Sequence, residues 1–200
     1  MSKDISLKKG ANLNLAGKAK KSINEKSKSD FFAILPDNFF SLTPKLIIKE
    51  GEEVSKGSPI FYDKKNPSIQ FVSPTSGIVS KINRVAKRKI ESIIIEQQGD
   101  REITHKIPKV LSRENIIDTL TISGCWPFIR QRPYNIIADP NDVPKQILIS
   151  CFTSAPLDVD FDFILKNQQD DFQSGINILN NLVDNKIILT VAKNSNSFFE

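Results

Sequence analysis

Short apolar runs separated by turn residues fill the chain from Phe31 to Glu96. The runs are FFAIL, LIIKE, SPIFY, IQFVS, GIVSKI and ESIIIE, spaced by about 8 to 15 residues. Short strands at regular intervals, with Gly, Pro and charged residues between them, are typical of an all-β sandwich or barrel. The pattern therefore predicts one small β domain over residues 31–96.

The apolar spacing becomes helical in the segment SRENIIDTLTISGCW. Ser112 is a suitable N-cap, Glu114 lies in the first turn where the helix dipole favours it, and Gly124 is a suitable stop. Three apolar residues share one face of this helix: Ile116, Ile117 and Leu120. We expect a helix followed by a proline-containing connector that extends to Pro144.

A strand–helix–strand pattern occupies the last part of the sequence. KQILISCF is typical of a buried strand, QQDDFQSGINILNNLVD of a helix, and NKIILTVA of a second strand. The apolar stripe of the predicted helix consists of Phe172, Ile176, Leu179, Leu182 and Val183. This order favours a parallel βαβ unit, and one such unit cannot cover its own sheet. We therefore expect residues 145–200 to begin an α/β, Rossmann-like domain of a longer protein.

Positive charge is concentrated in the leader. Residues 1–28 carry eight lysines against Asp4 and Glu25, a balance of +6, whereas the other 172 residues hold 20 basic and 21 acidic side chains. A nucleic-acid-binding domain carries its basic residues on a face of the fold, interleaved with aromatics. The distribution therefore predicts no nucleic-acid partner, and it marks residues 1–30 as a basic leader.

Cysteine usage and hydropathy exclude two further classes. Cys125 and Cys151 have only His105 as a possible co-ligand, too few residues for a structural zinc site or a cysteine-ligated cluster. No stretch approaches the roughly 18 apolar residues of a membrane span, and the N-terminus lacks the apolar core of a secretory signal. We expect no metal, and a chain that is kept in the cytoplasm.

Two glycine-turn patterns lie in the β region. They match the G-x-x-V-x-x-G-x-x-L and P-x-x-G-x-V patterns of biotinyl and lipoyl carrier domains through Gly51, Val54, Gly57, Ile60, Pro74, Gly77 and Val79. Glycines serve turns with positive φ, while the apolar positions point inward from neighbouring strands. The resemblance implies a barrel-sandwich of two sheets over residues 31–106, followed by a helix and connector over 107–144 and the α/β domain over 145–200, an α+β arrangement.

Carrier domains display a modifiable lysine eight residues before the matching proline. Counting back from Pro74 leads to Asn66, beside Lys64 and Lys65. A slip of one residue turns a strand side chain to the opposite face. The sequence therefore predicts the carrier-domain scaffold without a modified lysine, with Asn66 at or beside the hairpin tip. A carrier or interaction module of another multienzyme complex remains an alternative.

The run IKEGEEVSKGSPIFYDKKNPSIQFVSPTSGIVSKINR, with its DKKNP turn, extends the resemblance. Upstream lie Gly10 and Gly17, and downstream SGCWPFIRQRPY matches an S-G-x-W…R-x-R-P signature through Ser123, Gly124, Trp126, Arg130, Arg132 and Pro133. These elements resemble the A subunit of the sodium-translocating NADH:quinone reductase. In that family the segment corresponding to LKKGANLNLAGKA is an opening strand bounded by glycines, so the resemblance implies a first strand within residues 1–30. Two departures are the turn VAKRK, where that family tends to have a glycine, and a longer leader before Phe31.

That resemblance implies a peripheral protein on the cytoplasmic side of the inner membrane. The complex oxidises NADH, reduces quinone and exports sodium ions, and its other subunits are the expected partners and hold the flavins and iron–sulfur centre. Membrane contact would be indirect. No GxGxxG or Walker A loop follows any predicted strand, which agrees with a chain that binds no redox cofactor and purifies colourless.

Candidate contact residues lie within nine positions of the connector. They are Trp126, Phe128, Arg130, Arg132 and Tyr134. Aromatic faces with convergent donors suit quinone, and the same residue types are enriched in interface hot spots. The residues leave an alternative open, in which the aromatics close the base of the α/β domain and the arginines pair with carboxylates. No catalytic residue is predicted. An enzyme that uses paired carboxylates, for example Asp158, Asp160 and Asp162, is a further alternative. Their spacing would put them on one face of an extended strand, although acidic loop residues are usually solvated.

Overall fold

The computed structural model describes residues 13, 15–17, 20–23, 28–153, 155, 157–191 and 199. Gly10 and most of the leader, with the first strand expected there, lie outside these residues. Seven strands occupy the first half of the described chain: β1 (Phe31–Ile34), β2 (Pro44–Leu46), β3 (Glu53–Val54), β4 (Pro59–Asp63), β5 (Asn66–Val72), β6 (Gly77–Arg84) and β7 (Ile90–Gln97).

These strands form two antiparallel sheets. One sheet has the order β1-β7-β6-β3 and the other the order β2-β4-β5. Between Leu46 and Glu96, a range that the structure describes throughout, the only helical segment is the single 3-10 turn Ala86–Arg88. The predicted barrel-sandwich over residues 31–96 is confirmed.

Inward-facing residues of the two sheets form the barrel core. Along β5 and β7, buried apolar residues recur at every second position, at Ile69 and Phe71 and at Ile93 and Ile95, because successive side chains point to opposite faces. The other buried apolar residues of the strands are Val54, Ile60, Phe61, Val79 and Ile90, and the consecutive pair Ile60–Phe61 lies where the β4–β5 register shifts. Phe61 on β4 and Phe71 on β5 are cross-strand neighbours, and their rings stack with centroids 4.5 Å apart. The predicted inward orientation of Val54, Ile60 and Val79 is confirmed.

Gly77 shows why the glycine pattern matters. A Cβ atom placed there would lie 1.9 Å from the carbonyl oxygen of Glu96 on the neighbouring strand. No side chain fits that space, so β6 and β7 approach each other at a glycine. The close approach begins the longest strand pair of the barrel.

The β4–β5 hairpin turns at Lys64 and Lys65, with Asp63 opposite Asn66. Asp63 is buried, and its Oδ1 accepts hydrogen bonds from the backbone N–H of Lys65 at 3.1 Å and of Thr43 at 3.3 Å. These bonds fix the turn. Asn66 lies beside the hairpin tip, as predicted.

Helix α1 (Arg113–Ile122) packs on the outer face of the barrel. Ser112 is its N-cap, accepting from Asn115 N–H, and Gly124 follows its end with φ +74°. A Cβ at Gly124 would lie 2.6 Å from Cγ2 of Val72 on β5. The predicted cap and stop are confirmed, and the stop also lies against the barrel too closely to admit a side chain.

The connector after α1 contains a 3-10 turn (Trp126–Phe128) and a small hairpin made of β8 (Arg130–Gln131) and β9 (Ile136–Ile137). One apolar cluster continues from the barrel through Ile116 and Trp126 to Leu182. Barrel, helix and connector therefore share one core.

The last described elements are β10 (Leu148–Ser150), α2 (Phe161–Ile164), α3 (Gln169–Leu179) with a 3-10 turn (Asn180–Leu182), and β11 (Ile188–Thr190). β10 and β11 pair in parallel, which confirms the βαβ unit. The expectation of a buried strand is wrong for β10, because Leu148 is 64% exposed. Nothing among the described residues covers that part of the two-stranded sheet.

Candidate functional site

Trp126 is a buried residue that holds the base of the β8–β9 hairpin. Its ring is only 4% exposed, and its Nε1–H donates to the carbonyl oxygen of Ala138 at 2.8 Å. Ala138 N–H donates to the carbonyl of Ile129, so the two arms of the β8–β9 hairpin are held together at their base. The structure thus places Trp126 in the core, as a support for the hairpin and not as a contact surface.

The hairpin presents its turn to solvent. Arg130 pairs with Ile137, and the turn between the strands contains a cis peptide bond from Arg132 to Pro133. Arg132 is exposed and Tyr134 is 72% exposed. Two of the predicted contact residues, Arg132 and Tyr134, are therefore accessible at the turn of the β8–β9 hairpin.

Arg130 lies in β8, just before this turn, and is half-buried. Its guanidinium carbon is 5.3 Å from the ring centroid of Phe39, and Nη2 donates to the carbonyl of Asn38 at 3.5 Å. Nη1 is buried and has no hydrogen-bond partner among the described residues. An unmet buried donor costs about 1–3 kcal/mol, so an acceptor oxygen brought to this position would be favoured.

Phe128 completes the aromatic part of the surface. It is 75% exposed, and its ring meets that of Phe39 edge to face with centroids 6.1 Å apart. Phe39 in turn packs against Phe71 of the barrel at 4.8 Å. We call Phe39, Phe128, Arg130, Arg132 and Tyr134 the arginine–aromatic surface.

Phe39 is the member that the sequence did not reveal. It precedes Phe128 by 89 positions and reaches the connector only through the fold. The signal that could have found it is the pair Phe39–Phe40 in a polar turn, of which Phe40 is largely exposed. Two adjacent phenylalanines in a polar turn are a sequence signal for an apolar surface at that turn.

Neither arginine of the surface is held by a carboxylate. Within the described part of the chain, no Asp or Glu oxygen lies within 4.0 Å of Arg130 or Arg132. The alternative in which both arginines are internally paired is therefore wrong for these residues. The surface offers flat apolar faces and N–H donors, but no general base or nucleophile. Contact with quinone or a neighbouring protein of the complex stays a prediction.

The acidic residues after β10 have local roles. Asp160 is the N-cap of α2, accepting from Phe163 N–H, and Asp162 lies in the first turn, so their expected placement on one extended strand is wrong. A hydrogen bond from Lys21 lowers the pKa of Asp160. The backbone N–H of Val159 lowers the pKa of Asp158. Lowered pKa values do not suit a general acid at neutral pH.

Metal-ligand clusters and membrane-spanning helices are both absent from the described residues. No group of three or more His, Cys, Asp or Glu side chains is placed there to hold a metal ion. Cys125 and Cys151 are both free thiols. No helix in this part of the chain has the length and apolar character needed to cross a membrane. That the chain binds no metal or cofactor stays a prediction.

A barrel-sandwich domain continued by a helix, an arginine-bearing hairpin and a parallel βαβ unit defines the class of protein. Residues 5–98 match the family model of the NqrA N-terminal barrel-sandwich hybrid domain, and residues 111–200 match that of the NqrA second alpha/beta domain. The two matches are consecutive and in order. The chain belongs to the NqrA family.

Curated relatives are named as the A subunit of the Na(+)-translocating NADH-quinone reductase. The chain is 34% identical to that of Histophilus somni (strain 2336) over 197 residues, covering 96% of this chain and 44% of the relative. It is 33% identical to that of Yersinia pestis over 188 residues, covering 92% of this chain and 42% of the relative. The chain thus spans less than half the length of the relatives it matches.

Proposed function

We propose that the chain acts as the N-terminal part of the A subunit of a Na⁺-translocating NADH:quinone reductase. It would be a peripheral protein on the cytoplasmic side of the membrane, supporting quinone reduction coupled to sodium export. The consecutive family matches and the relatives' shared name support this proposal. Deleting the gene should abolish sodium-dependent quinone reduction by isolated membranes; undiminished activity would contradict the assignment.

The chain is proposed to hold no redox cofactor, with NADH, flavins and the iron–sulfur centre bound by other subunits. The sequence after β10 reads CFTSAPLDVD, with bulky and acidic residues where a phosphate would need room and convergent backbone N–H groups. The purified chain should therefore be colourless. Stoichiometric flavin absorbance in the visible range would contradict this part of the proposal.

The arginine–aromatic surface is proposed as the contact with quinone or with a neighbouring protein of the complex. The observation that carries it is the buried Nη1 of Arg130, which has no partner among the described residues. The guanidinium lies over the ring of Phe39, and the exposed ring of Phe128 meets the same ring edge to face. A quinone could place a carbonyl oxygen at Nη1 of Arg130 and its flat ring against Phe128. A neighbouring protein could do the same with a backbone carbonyl and an apolar side chain. Both partners supply the same acceptor chemistry.

Replacing Arg130 and Arg132 together by alanine in the complete protein tests this surface. Because neither guanidinium has a carboxylate partner among the described residues, the melting temperature should change little. Quinone reduction or retention in the complex should fall about tenfold, as expected for loss of a charged hydrogen bond. A raised KM for quinone with normal retention would indicate quinone contact, and loss of the protein from the complex would indicate docking.

A matched control removes two cations elsewhere. Arg101 pairs with Glu53 on the exposed surface at 2.8 Å, and Lys145 is exposed. Arg101→Ala with Lys145→Ala should leave quinone reduction and retention unchanged. If Arg130→Ala with Arg132→Ala lowers only the melting temperature, the contact proposal is wrong.

A carrier function is the second candidate, because Lys64 and Lys65 occupy the tip at which carrier domains display their lysine. Against it, Lys65 Nζ donates to the carbonyl and hydroxyl oxygens of Ser41, each at 3.0 Å. Asn66 also donates to Asp139 of the connector at 3.4 Å. Intact-mass measurement decides between them: a lipoyl or biotinyl addition would support a carrier, and an unmodified mass would exclude it.

A further inference from the structure

The β6–β7 turn concentrates the positive charge of the folded body. Residues 81–89, KINRVAKRK, contain five basic residues and no acidic one. The other 163 residues of 29–200 hold 15 basic and 21 acidic side chains, a balance of −6. We call Lys81, Arg84, Lys87, Arg88 and Lys89 the basic tip. Residues 29–200 therefore carry a net negative charge except at the β6–β7 hairpin end, which is positive.

Most of this charge is not neutralised within the molecule. All five side chains are exposed. Lys89 pairs with Asp37 at 2.6 Å, whereas the other four have no carboxylate within 4.0 Å among the described residues. Arg84 Nη1 donates to the carbonyl of Arg88 at 3.1 Å, which holds its guanidinium over the turn. Four cations thus face solvent from the end of β6 and the turn that follows it.

The backbone of the turn is unfavourable for the residues it contains. Lys87 and Arg88 both lie in the left-handed region, with φ 59° and 61°. A residue with a Cβ adopts this region at a cost that glycine avoids. Two glycines would form the turn more easily, yet two long cations occupy it. Unfavourable backbone conformations of this kind cluster where side chains serve binding.

We propose that the basic tip binds the anionic surface of a phospholipid membrane. The basic tip is exposed, and within residues 81–89 the only exposed large apolar side chain is that of Val85. Protein hot spots and single-stranded nucleic-acid sites use aromatic anchors, which the tip lacks. A lipid surface instead repeats phosphate groups in a plane, and each nearby Lys or Arg strengthens partitioning by about fivefold.

The basic tip lies at the same end of the molecule as the arginine–aromatic surface. Asp37 accepts from Lys89, the next residue's carbonyl accepts from Arg130, and Phe39 packs under Arg130. Three consecutive residues therefore link the two surfaces. A membrane bound at the basic tip would lie beside the arginine–aromatic surface. Binding of this kind requires no other protein, so it is independent of membership in the complex.

Co-sedimentation of the purified 200-residue chain with vesicles tests the proposal. Vesicles of phosphatidylglycerol and phosphatidylcholine in equal parts should bind the chain, and vesicles of phosphatidylcholine alone should not. Replacing Arg84, Lys87 and Arg88 by glutamine should lower partitioning on the order of 100-fold. Raising the salt concentration should release the wild-type chain, because screening weakens exposed charges.

A charge-matched control uses exposed lysines outside the tip. Lys106→Gln with Lys145→Gln and Lys166→Gln removes the same number of cations, and this variant should keep at least half of the wild-type partitioning. Lys87→Gly with Arg88→Gly should melt no lower than wild type, because glycine suits the turn, yet bind about 25-fold more weakly. Loss of binding without loss of stability separates binding from folding.

Four outcomes would overturn the proposal. The glutamine variant could bind as wild type does, which would assign binding to the lysines of residues 1–28. The charge-matched control could lose as much binding as the tip variant. Phosphatidylcholine vesicles could bind equally well. Retention on immobilised polyglutamate or single-stranded DNA, but not on anionic vesicles, would assign the tip to a macromolecular partner.

Discussion

The barrel-sandwich and the βαβ unit bury their strands to different extents. In the barrel, side chains from two sheets meet, and residues such as Ile60, Val79 and Ile93 are completely buried. In the βαβ unit, both strands alternate between exposed and half-buried positions, and Leu148 stands in solvent. The barrel therefore supplies both sides of its own core, and the βαβ unit supplies only one.

The apolar runs themselves do not reveal this difference. KQILISCF in the βαβ unit is as apolar as ESIIIE in the barrel. Hydrophobic stabilisation is proportional to the apolar area removed from water, so it depends on what packs against a strand as well as on the strand. The composition of a strand predicts that its apolar side chains are to be buried. Whether they are buried within this chain depends on which other elements pack against the strand.

Gly77→Ala should produce the largest effect, because the added methyl group would meet the Glu96 carbonyl at 1.9 Å. We expect a loss of about 4 kcal/mol or more in the free energy of unfolding, as when a tight backbone contact is forced apart. Urea unfolding followed by circular dichroism measures it. Gly99→Ala is the control: its φ is also positive, at +70°, but the space around it is open. It should cost only about 1 kcal/mol. Equal losses would refute the close-contact explanation.

Truncating one core residue in each region compares their packing directly. Ile93→Ala in the barrel should lower the free energy of unfolding by about 2–5 kcal/mol, because it empties a fully buried position. Leu148→Ala in β10 should change it by less than about 0.5 kcal/mol, since that side chain is largely exposed. Both follow from urea titrations of the same chain. Similar losses for the two variants would show that the exposed strand is packed in solution.

Gly175→Ala should be mildly stabilising. Gly175 lies inside α3, a Cβ there would meet nothing within 4 Å, and its φ is not in the left-handed region. Alanine is favoured over glycine in a helix interior by about 0.5–1 kcal/mol. The gain should appear as a small rise in the urea midpoint. A loss would mean that α3 packs more tightly than the structure shows.

The two cysteines report on local burial. Cys125 is exposed, while burial raises the pKa of the Cys151 thiol above its ordinary value of 9.0, with the charge of Asp162 adding to the shift. Iodoacetamide should therefore modify Cys151 on the order of tenfold more slowly than Cys125, measured by peptide mass spectrometry. In urea the two rates should become equal.

The same shift gives a pH dependence with a defined sign. Because the folded pKa of Cys151 is raised, its contribution to stability is fully present below about pH 9 and is lost as the pH rises through the folded pKa. Cys151→Ser should flatten the decline in the free energy of unfolding above that pH. If the free energy of unfolding of Cys151→Ser falls above that pH as steeply as that of the wild type, Cys151 is not the cause of the decline.

Local signals carried most of the correct sequence-based predictions. The cap at Ser112 and the stop at Gly124 depend on residues within one helix, and the inward positions Val54, Ile60 and Val79 follow from strand alternation. Each is decided by neighbours along the chain, so a single sequence suffices. The barrel and the βαβ order were predictable for this reason.

Other features depend on contacts between distant segments. Phe39 joins Arg130 and Phe128 only through the packing of barrel and connector, and the burial of Trp126 depends on the Ala138 carbonyl. The short helix after Asp160 was missed because one turn has no periodicity to detect. The left-handed Lys87 and Arg88 were also unpredictable, since neither residue type favours that conformation.

Gly124 has a consequence for how variation in this protein should be interpreted. The residue touches no candidate ligand, yet the absent Cβ allows the end of α1 to lie against Val72, and the hairpin with Arg130 follows six residues later. Any side chain there would push that hairpin outward by about the width of a methyl group. A mutational scan scored by activity would then mark Gly124 as intolerant, although its effect would be to reposition a surface that other residues form. A smaller residue at Val72 should therefore restore part of the lost activity, while the left-handed backbone at Gly124, with φ +74°, still disfavours any residue that has a Cβ.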